Sequence, residues 1–215
     1  MKPQVDYSIY LVTDRQLMTT QTVEASVEQA ILGGCSLVQL REKELGSRAF
    51  YETALRVKAV TDQHNVPLLI NDRMDIALAV GAAGLHVGQE DLPVAVARKV
   101  MGENAILGVS ASTVEEALAA QADGADYLGV GAMFATSTKT DADVVSMETL
   151  KRICAAIDLP IVVIGGINER TIAHFAGTDV DGMAVVSAIV GQPDITAATR
   201  HLKALWECSM GRAHA

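Results

Sequence analysis

Three residues alternate along one short stretch: Gln39, Arg41 and Lys43, within Gln39-Leu40-Arg41-Glu42-Lys43. In extended backbone alternate residues share a face, so these three point one way while Leu40 and Glu42 point the other. A guanidinium beside an ammonium suits a multiply charged anion, Arg through paired hydrogen bonds and Lys as a point charge. Further along come Asn71, Asp72 and Asp91. Two carboxylates and an amide form an oxygen-rich set of the kind Mg²⁺ accepts, together with waters and substrate phosphate oxygens. The same carboxylates have a second reading as helix caps, since Pro93 follows Asp91 and a helix follows Asp72. His86 lies in an apolar run, which suits a core or supporting histidine better than a ligand. Ser110 closes another apolar run.

The stretch 135–145 is long for a strand-to-helix connection, and such loops often serve as lids or binding loops. Within it Thr136, Ser137 and Thr138 offer hydroxyls and backbone N–H groups, and Lys139 a positive charge. Gly165-Gly166 and Val186-Ser187 complete the set. Glycine lets backbone N–H groups approach a phosphate, and the start of a short helix favours its charge. One anion site is thus basic and the other is built from backbone. Two such sites imply two phosphorylated substrates.

These residues converge only if a particular architecture positions them. Apolar runs at Ile9–Val12, Leu37–Leu40, Pro67–Ile70, Gly84–Val87, Ala105–Val109, Tyr127–Val130, Ile161–Ile164 and Gly182–Val186 predict eight strands. Each is apolar on both faces, as strands covered by helices are. Helical patterns fall between them at Thr22–Leu32, Arg48–His64, Pro93–Val100, Val114–Ala122, Met147–Ala156, Glu169–Ala176 and Ile195–Trp206. Ser47, Ser112 or Thr113, Ser146 and Asn168 are the expected N-caps, and Pro93 suits a first helical turn. Helix exits read GGCSLVQL, VGAAGLHVG, ADGADYLGVG and GTDVDGMAVV, each a glycine-containing stop followed by a buried strand, a weak internal repeat. Strand and helix alternating in this way predict an α/β fold, a (β/α)₈ (TIM) barrel, whose reactive side chains gather at the strand C-termini. A doubly wound sheet would need a Gly-rich first turn, and Val12-Thr13-Asp14-Arg15 lacks one.

Composition narrows the partners. Half the residues are hydrophobic and only 4% aromatic, with a net charge of −9 from 17 basic and 26 acidic residues. An acidic chain repels nucleic acid and anionic lipid, so neither nucleic acid nor membrane is expected as a partner. No apolar run approaches the length of a membrane span. Cys35, Cys154 and Cys208 are odd in number and widely spaced, which fits a reducing compartment, the cytoplasm, and neither a disulfide framework nor a zinc site. One domain over 1–215 is expected, with a flexible tail at 209–215. Assembly into a homo-oligomer is compatible with this pattern.

Taken together, Gln39-Leu40-Arg41-Glu42-Lys43, Asn71-Asp72, Gly88-Gln89-Glu90-Asp91-Leu92-Pro93, Thr136-Ser137-Thr138-Lys139, Ile164-Gly165-Gly166-Ile167 and Ala184-Val185-Val186-Ser187 resemble the motifs of the thiamine-phosphate synthase family. The resemblance runs from Tyr10 to Trp206. It implies that a hydroxymethylpyrimidine diphosphate is joined to a (carboxy)thiazole ethyl phosphate, giving thiamine monophosphate and pyrophosphate. By the same resemblance Gln39, Leu40, Arg41, Glu42, Lys43, Asn71, Ser110 and Lys139 bind the pyrimidine diphosphate, and Thr136, Ser137, Thr138, Gly166, Val186 and Ser187 the thiazole phosphate. Asp72 and Asp91 hold Mg²⁺ as cofactor. Arg41, Lys43, Ser110 and Lys139 are the implied catalytic residues of a dissociative, Mg²⁺-assisted substitution, which needs no nucleophilic side chain. The family usually carries prolines near Ala132 or Ala135, and their absence should loosen that loop. A thiazole tautomerase and a non-catalytic barrel that binds phosphometabolites stand as alternatives.

Overall fold

The computed structural model describes Lys2, residues 4–135 and residues 144–211. Eight strands pair in chain order into a closed parallel barrel: β1 Ile9–Val12, β2 Leu37–Leu40, β3 Leu68–Asn71, β4 Gly84–Val87, β5 Ile106–Ala111, β6 Tyr127–Val130, β7 Ile161–Val163 and β8 Gly182–Val185. Closure comes from β8 pairing with β1, where Tyr10 lies opposite Ala184. The helices are α1 Val23–Leu32, α2 Ser47–Gln63, α3 Met74–Val80, α4 Val94–Met101, α5 Val114–Ala122, α6 Met147–Ala156, α7 Ser187–Val190 and α8 Ile195–Ser209, with a 3₁₀ turn at Ile172–Phe175.

Because strand side chains alternate, the barrel has two apolar layers. Ile9, Leu11, Val38, Leu40, Leu68 and Ile70 face outward and pack beneath the helices. Tyr10, Val12, Leu37, Leu69, Tyr127, Val162 and Ala184 fill the barrel interior. That division explains why strands read as apolar on both faces. It also fixes which residue at each strand's end turns inward, since the interior parity simply continues past the last apolar residue.

Local signals set most boundaries. Thr22, Thr113, Ser146 and Asp194 cap α1, α5, α6 and α8 through side-chain oxygens that accept N–H groups of the first turn. Ser47 is not a cap: it is the first helical residue of α2, with Gly46 before it, and its hydroxyl accepts from Arg73 Nη2 at 2.9 Å. The helix expected at Glu169–Ala176 contracts to the 3₁₀ turn. Asn168 Oδ1 accepts from the Arg170 N–H, and Thr171 Oγ1 turns back to Gly166 O at 3.0 Å. Asn168 thus accepts a first-turn N–H as an N-cap does, while Thr171 is tied back to the preceding loop and only the 3₁₀ turn follows. Helix α3 was not delimited in advance, being only seven residues. Of the tail expected at 209–215, Ser209 ends α8, and 212–215 lie outside the described residues. Cys35 is buried and accordingly acts as a small hydrophobe, its thiol pushed up to about 11 chiefly by burial.

Candidate active site

At the C-terminal ends of the strands lies a cavity of about 260 Å³, small among ligand pockets. Inward parity supplies nearly all of its wall. Strand β2 and its extension give Gln39, Arg41 and Lys43, and β3 gives Asn71 followed by Asp72. His86 comes from β4, Asp91 from the loop after it, and Ser110 from β5. The opposite wall is Gly165, Gly166, Val186 and Ser187. Residues separated by almost 150 positions in the chain therefore share one mouth, as the barrel requires.

Arg41 is held on two sides. Its backbone N–H donates to Thr13 Oγ1 at 3.0 Å, and its guanidinium lies 3.4 Å from Asp14 Oδ2. The neighbouring loop is clamped to β1 by Arg15, which binds Glu42 through two hydrogen bonds of 3.1 and 2.8 Å. Glu42 is thereby turned away from the cavity, and Leu40 is buried beneath the helices. Neither lines the cavity, although both fall inside the motif assigned to the diphosphate. The reason is the alternation itself: they sit on the other face of the strand.

Asp72 adopts φ 59°, a left-handed conformation that aspartate tolerates better than most residues. Its N–H donates to His86 O at 2.9 Å, which ties the tip of β3 to β4. The turn throws its carboxylate toward Lys43, whose Nζ stands 2.6 Å from Asp72 Oδ2. Asp91 accepts the Gly88 N–H at 2.7 Å. Neither carboxylate caps a helix: Arg73 and Pro93 occupy the positions before α3 and α4, with no side-chain cap bond at either. The capping reading is thus replaced by one in which both carboxylates face the cavity.

Burial is the main force raising the Asp91 carboxyl above the ordinary carboxylate range, and the Asp72 carboxylate beside it adds to this against the pull of the Gly88 N–H and Lys43. Two carboxylates this close repel unless a proton or a cation lies between them. The described residues contain no group of three or more His, Cys, Asp or Glu able to hold a metal by themselves. Two carboxylates open to a ligand's phosphate oxygens are instead the arrangement that Mg²⁺ accepts and a wholly protein-ligated metal does not.

Across the cavity Gly165 and Gly166 have φ of 95° and 67°. A Cβ on Gly166 would lie 2.7 Å from Phe134 Cβ, so both conformation and space demand glycine. Met133 and Phe134 N–H groups donate to Ile164 O at 2.9 Å and Gly165 O at 3.1 Å, which pins residues 133–134 although positions 132 and 135 are alanines. Beside them Val186 and Ser187, at the start of α7, line the cavity. Thr136, Ser137, Thr138 and Lys139 lie outside the described residues.

The floor holds residues that motif reading passed over: Tyr10 and Tyr127, each hydroxyl buried in an otherwise aliphatic interior. They were legible as the tyrosines on inward parity in β1 and β6. His86, expected as a supporting histidine, joins them through Nδ1 at 2.8 Å from Tyr127 Oη.

A closed parallel barrel with cations, carboxylates and a glycine pair at one mouth defines a (β/α)₈-barrel enzyme for phosphorylated small molecules. A family described as thiamine monophosphate synthase matches residues 9–189. Thiamine-phosphate synthase of Clostridium beijerinckii is 61% identical over 203 residues, covering 94% of this chain and 97% of that protein. The thiamine-phosphate synthase of Clostridium botulinum is 59% identical, over 94% and 95% of the two chains. Among solved structures, a thiamine phosphate pyrophosphorylase from Pyrococcus furiosus superposes with a TM-score of 0.88 at 38% identity, over 96% of this chain and 98% of that one. The chain belongs to the thiamine monophosphate synthase family and is a transferase.

Proposed function

We propose that the cavity joins a hydroxymethylpyrimidine diphosphate to a thiazole ethyl phosphate, plain or carboxylated, forming thiamine monophosphate and pyrophosphate. One observation carries this reading: Arg41, Lys43, Asp72 and Asp91 line a single cavity together with Gly166 and Ser187. Cationic side chains take the diphosphate, and the glycine wall takes the second phosphate.

In this reading Gln39, Asn71 and Ser110 hold the pyrimidine. Arg41 and Lys43 gather the negative charge that grows on the departing diphosphate, which is electrostatic catalysis at a preorganised site. Asp72 and Asp91 would hold Mg²⁺, which supplies charge neutralisation on the leaving-group oxygens. Thr136, Ser137, Thr138, Gly166, Val186 and Ser187 are assigned to the thiazole phosphate, and Lys139 to the diphosphate. Bringing the two substrates together replaces any need for a nucleophilic side chain. No helix of the described residues is long and apolar enough to cross a membrane, and three unpaired cysteines fit a reducing compartment. We place the reaction in the cytoplasm.

Mixing both substrates with Mg²⁺ and the folded protein should yield pyrophosphate and thiamine monophosphate in equal amounts. Isomerisation of a thiazole without pyrophosphate would identify a tautomerase, and binding without turnover a non-catalytic barrel. A second prediction separates the two anion sites. Arg41→Ala removes a charge-assisted contact, about 1.5–3 kcal/mol, and should weaken pyrimidine diphosphate binding roughly 10- to 100-fold. Titration calorimetry should show thiazole phosphate binding little changed. Equal weakening of both would mean that the two phosphates share one subsite.

A further inference from the structure

Five side chains run as one hydrogen-bonded chain across the floor of the barrel. Gln39 Nε2 lies 2.6 Å from Tyr10 Oη, Tyr10 Oη 2.8 Å from Tyr127 Oη, Tyr127 Oη 2.8 Å from His86 Nδ1 and His86 Nε2 3.0 Å from Ser110 Oγ. Four of these residues, Tyr10, Gln39, His86 and Ser110, line the cavity, while Tyr127 does not. Tyr127 is fully buried. Its ring fits only because residue 108 is glycine: a Cβ there would stand 2.1 Å from Tyr127 Cζ. The interior is thus shaped around this hydroxyl.

Burial pushes both tyrosine hydroxyls well above their ordinary range, so each remains O–H and has a single proton to donate. A chain of single-proton links has a direction. Gln39 donates an amide N–H to Tyr10, so Tyr10 must give its proton to Tyr127. Tyr127 then gives its proton to His86 Nδ1. That makes Nδ1 the acceptor and leaves the imidazole proton on Nε2, where it donates to Ser110 Oγ.

We infer that Tyr127 is a positioning residue that holds His86 as the Nε2–H tautomer, so that Ser110 turns its hydroxyl proton, and Gln39 its Oε1, toward the ligand. The inference rests on the pyrimidine lying at this floor. An aminopyrimidine offers both complements, N–H donors on its amino group and lone pairs on its ring nitrogens. A floor presenting one fixed acceptor and one fixed donor selects its orientation. Were the chain to run the other way, Gln39 would present donors and Ser110 an acceptor, and the same ring would be refused in that pose.

Long-range ¹H–¹⁵N NMR of protein labelled at histidine nitrogens reads the tautomer without any substrate, with His86→Gln used to assign the signal. Wild type should show His86 as neutral Nε2–H. In Tyr127→Phe that signature should be lost, and KM for the pyrimidine diphosphate should rise about 5- to 10-fold, the worth of one hydrogen bond, with KM for the thiazole phosphate unchanged. Tyr10→Phe removes the link that fixes the direction of the Tyr127 proton, so it should likewise lose the single Nε2–H signature and raise the same KM; it serves if Tyr127→Phe does not fold. A wild-type Nδ1–H signal, or an unchanged tautomer and KM in Tyr127→Phe, would overturn the inference. Failure of wild type to release pyrophosphate would instead overturn the reaction assignment and leave the tautomer result standing.

Discussion

Asp91→Ala should lower kcat by a factor of the order of 10²–10³, because a bound divalent cation contributes several kcal/mol of charge stabilisation at a phosphoryl leaving group. The carboxylate projects into the cavity beside Asp72 and lies under the same rim as Lys43. Its removal would leave Asp72 as the single carboxylate for the ion and weaken its hold. Thermal stability should stay level or rise slightly, since burial first and the neighbouring Asp72 second disfavour the Asp91 carboxylate in the metal-free protein. A helix-capping carboxylate would behave in the opposite way, costing about 1 kcal/mol of stability and little activity. Steady-state rates over a Mg²⁺ series, set beside a melting curve, separate the two.

The pH dependence follows in sign. The folded protein holds the Asp91 proton above the ordinary value of 3.8. Between that value and its raised one, folded protein binds more protons than unfolded, so metal-free stability falls as pH rises through this window. Mg²⁺ displaces that proton, so its affinity should increase with pH over the same interval.

The second large effect is on folding rather than chemistry. Arg98, on α4, is buried at the opposite end of the barrel from the cavity. Its Nε donates to Gly124 O at 3.0 Å, and Nη1 donates to Gly102 O and Ala105 O at 2.8 and 2.9 Å. Nη2 donates to Asp126 Oδ2 at 2.6 Å. The same Asp126 oxygen accepts the Leu107 N–H, so one guanidinium ties the starts of β5 and β6 to α4. Arg98→Ala leaves those carbonyls and part of a carboxylate unpaired, which should cost about 3 kcal/mol or more. For a chain of this length that corresponds to a melting temperature roughly 6–12 °C lower. Arg98→Lys should recover little of it, because an ammonium cannot span a planar fork of four acceptors. Turnover of the folded fraction should be unchanged. A shift under about 2 °C would show that Arg98 is not a staple.

Much of this was legible in the sequence because two periodicities are physical necessities. Strands buried on both faces must read as short apolar runs, and all eight were located to within two residues, four of them, β1, β2, β4 and β6, with the boundaries observed. Alternation in Gln39-Leu40-Arg41-Glu42-Lys43 separated the cavity residues Gln39, Arg41 and Lys43 from Leu40 and Glu42, even though the family motif spans all five. The roles of Asp72 and Asp91 were not decidable from type alone. Aspartate before a helix suits both a cap and a ligand, and only the left-handed turn at Asp72 and the Gly88 contact of Asp91 show that neither caps. Tyr10 and Tyr127 escaped notice because a tyrosine inside an apolar strand looks like core. Their hydroxyls matter only once strands far apart in sequence close around a common axis. The Glu169–Ala176 region misled for another reason, since its side chains bond back to the loop and outcompete the helix that its pattern suggests.

The central claim is that the tips of β2, β3 and β4 form one site for a diphosphate and a divalent cation. Titration of the wild-type protein with inorganic pyrophosphate, in the presence and absence of Mg²⁺, tests it most directly. Tight binding should require Mg²⁺ and should disappear in Asp91→Ala with the fold intact. Equal affinity with and without the metal, or in the variant, would contradict it.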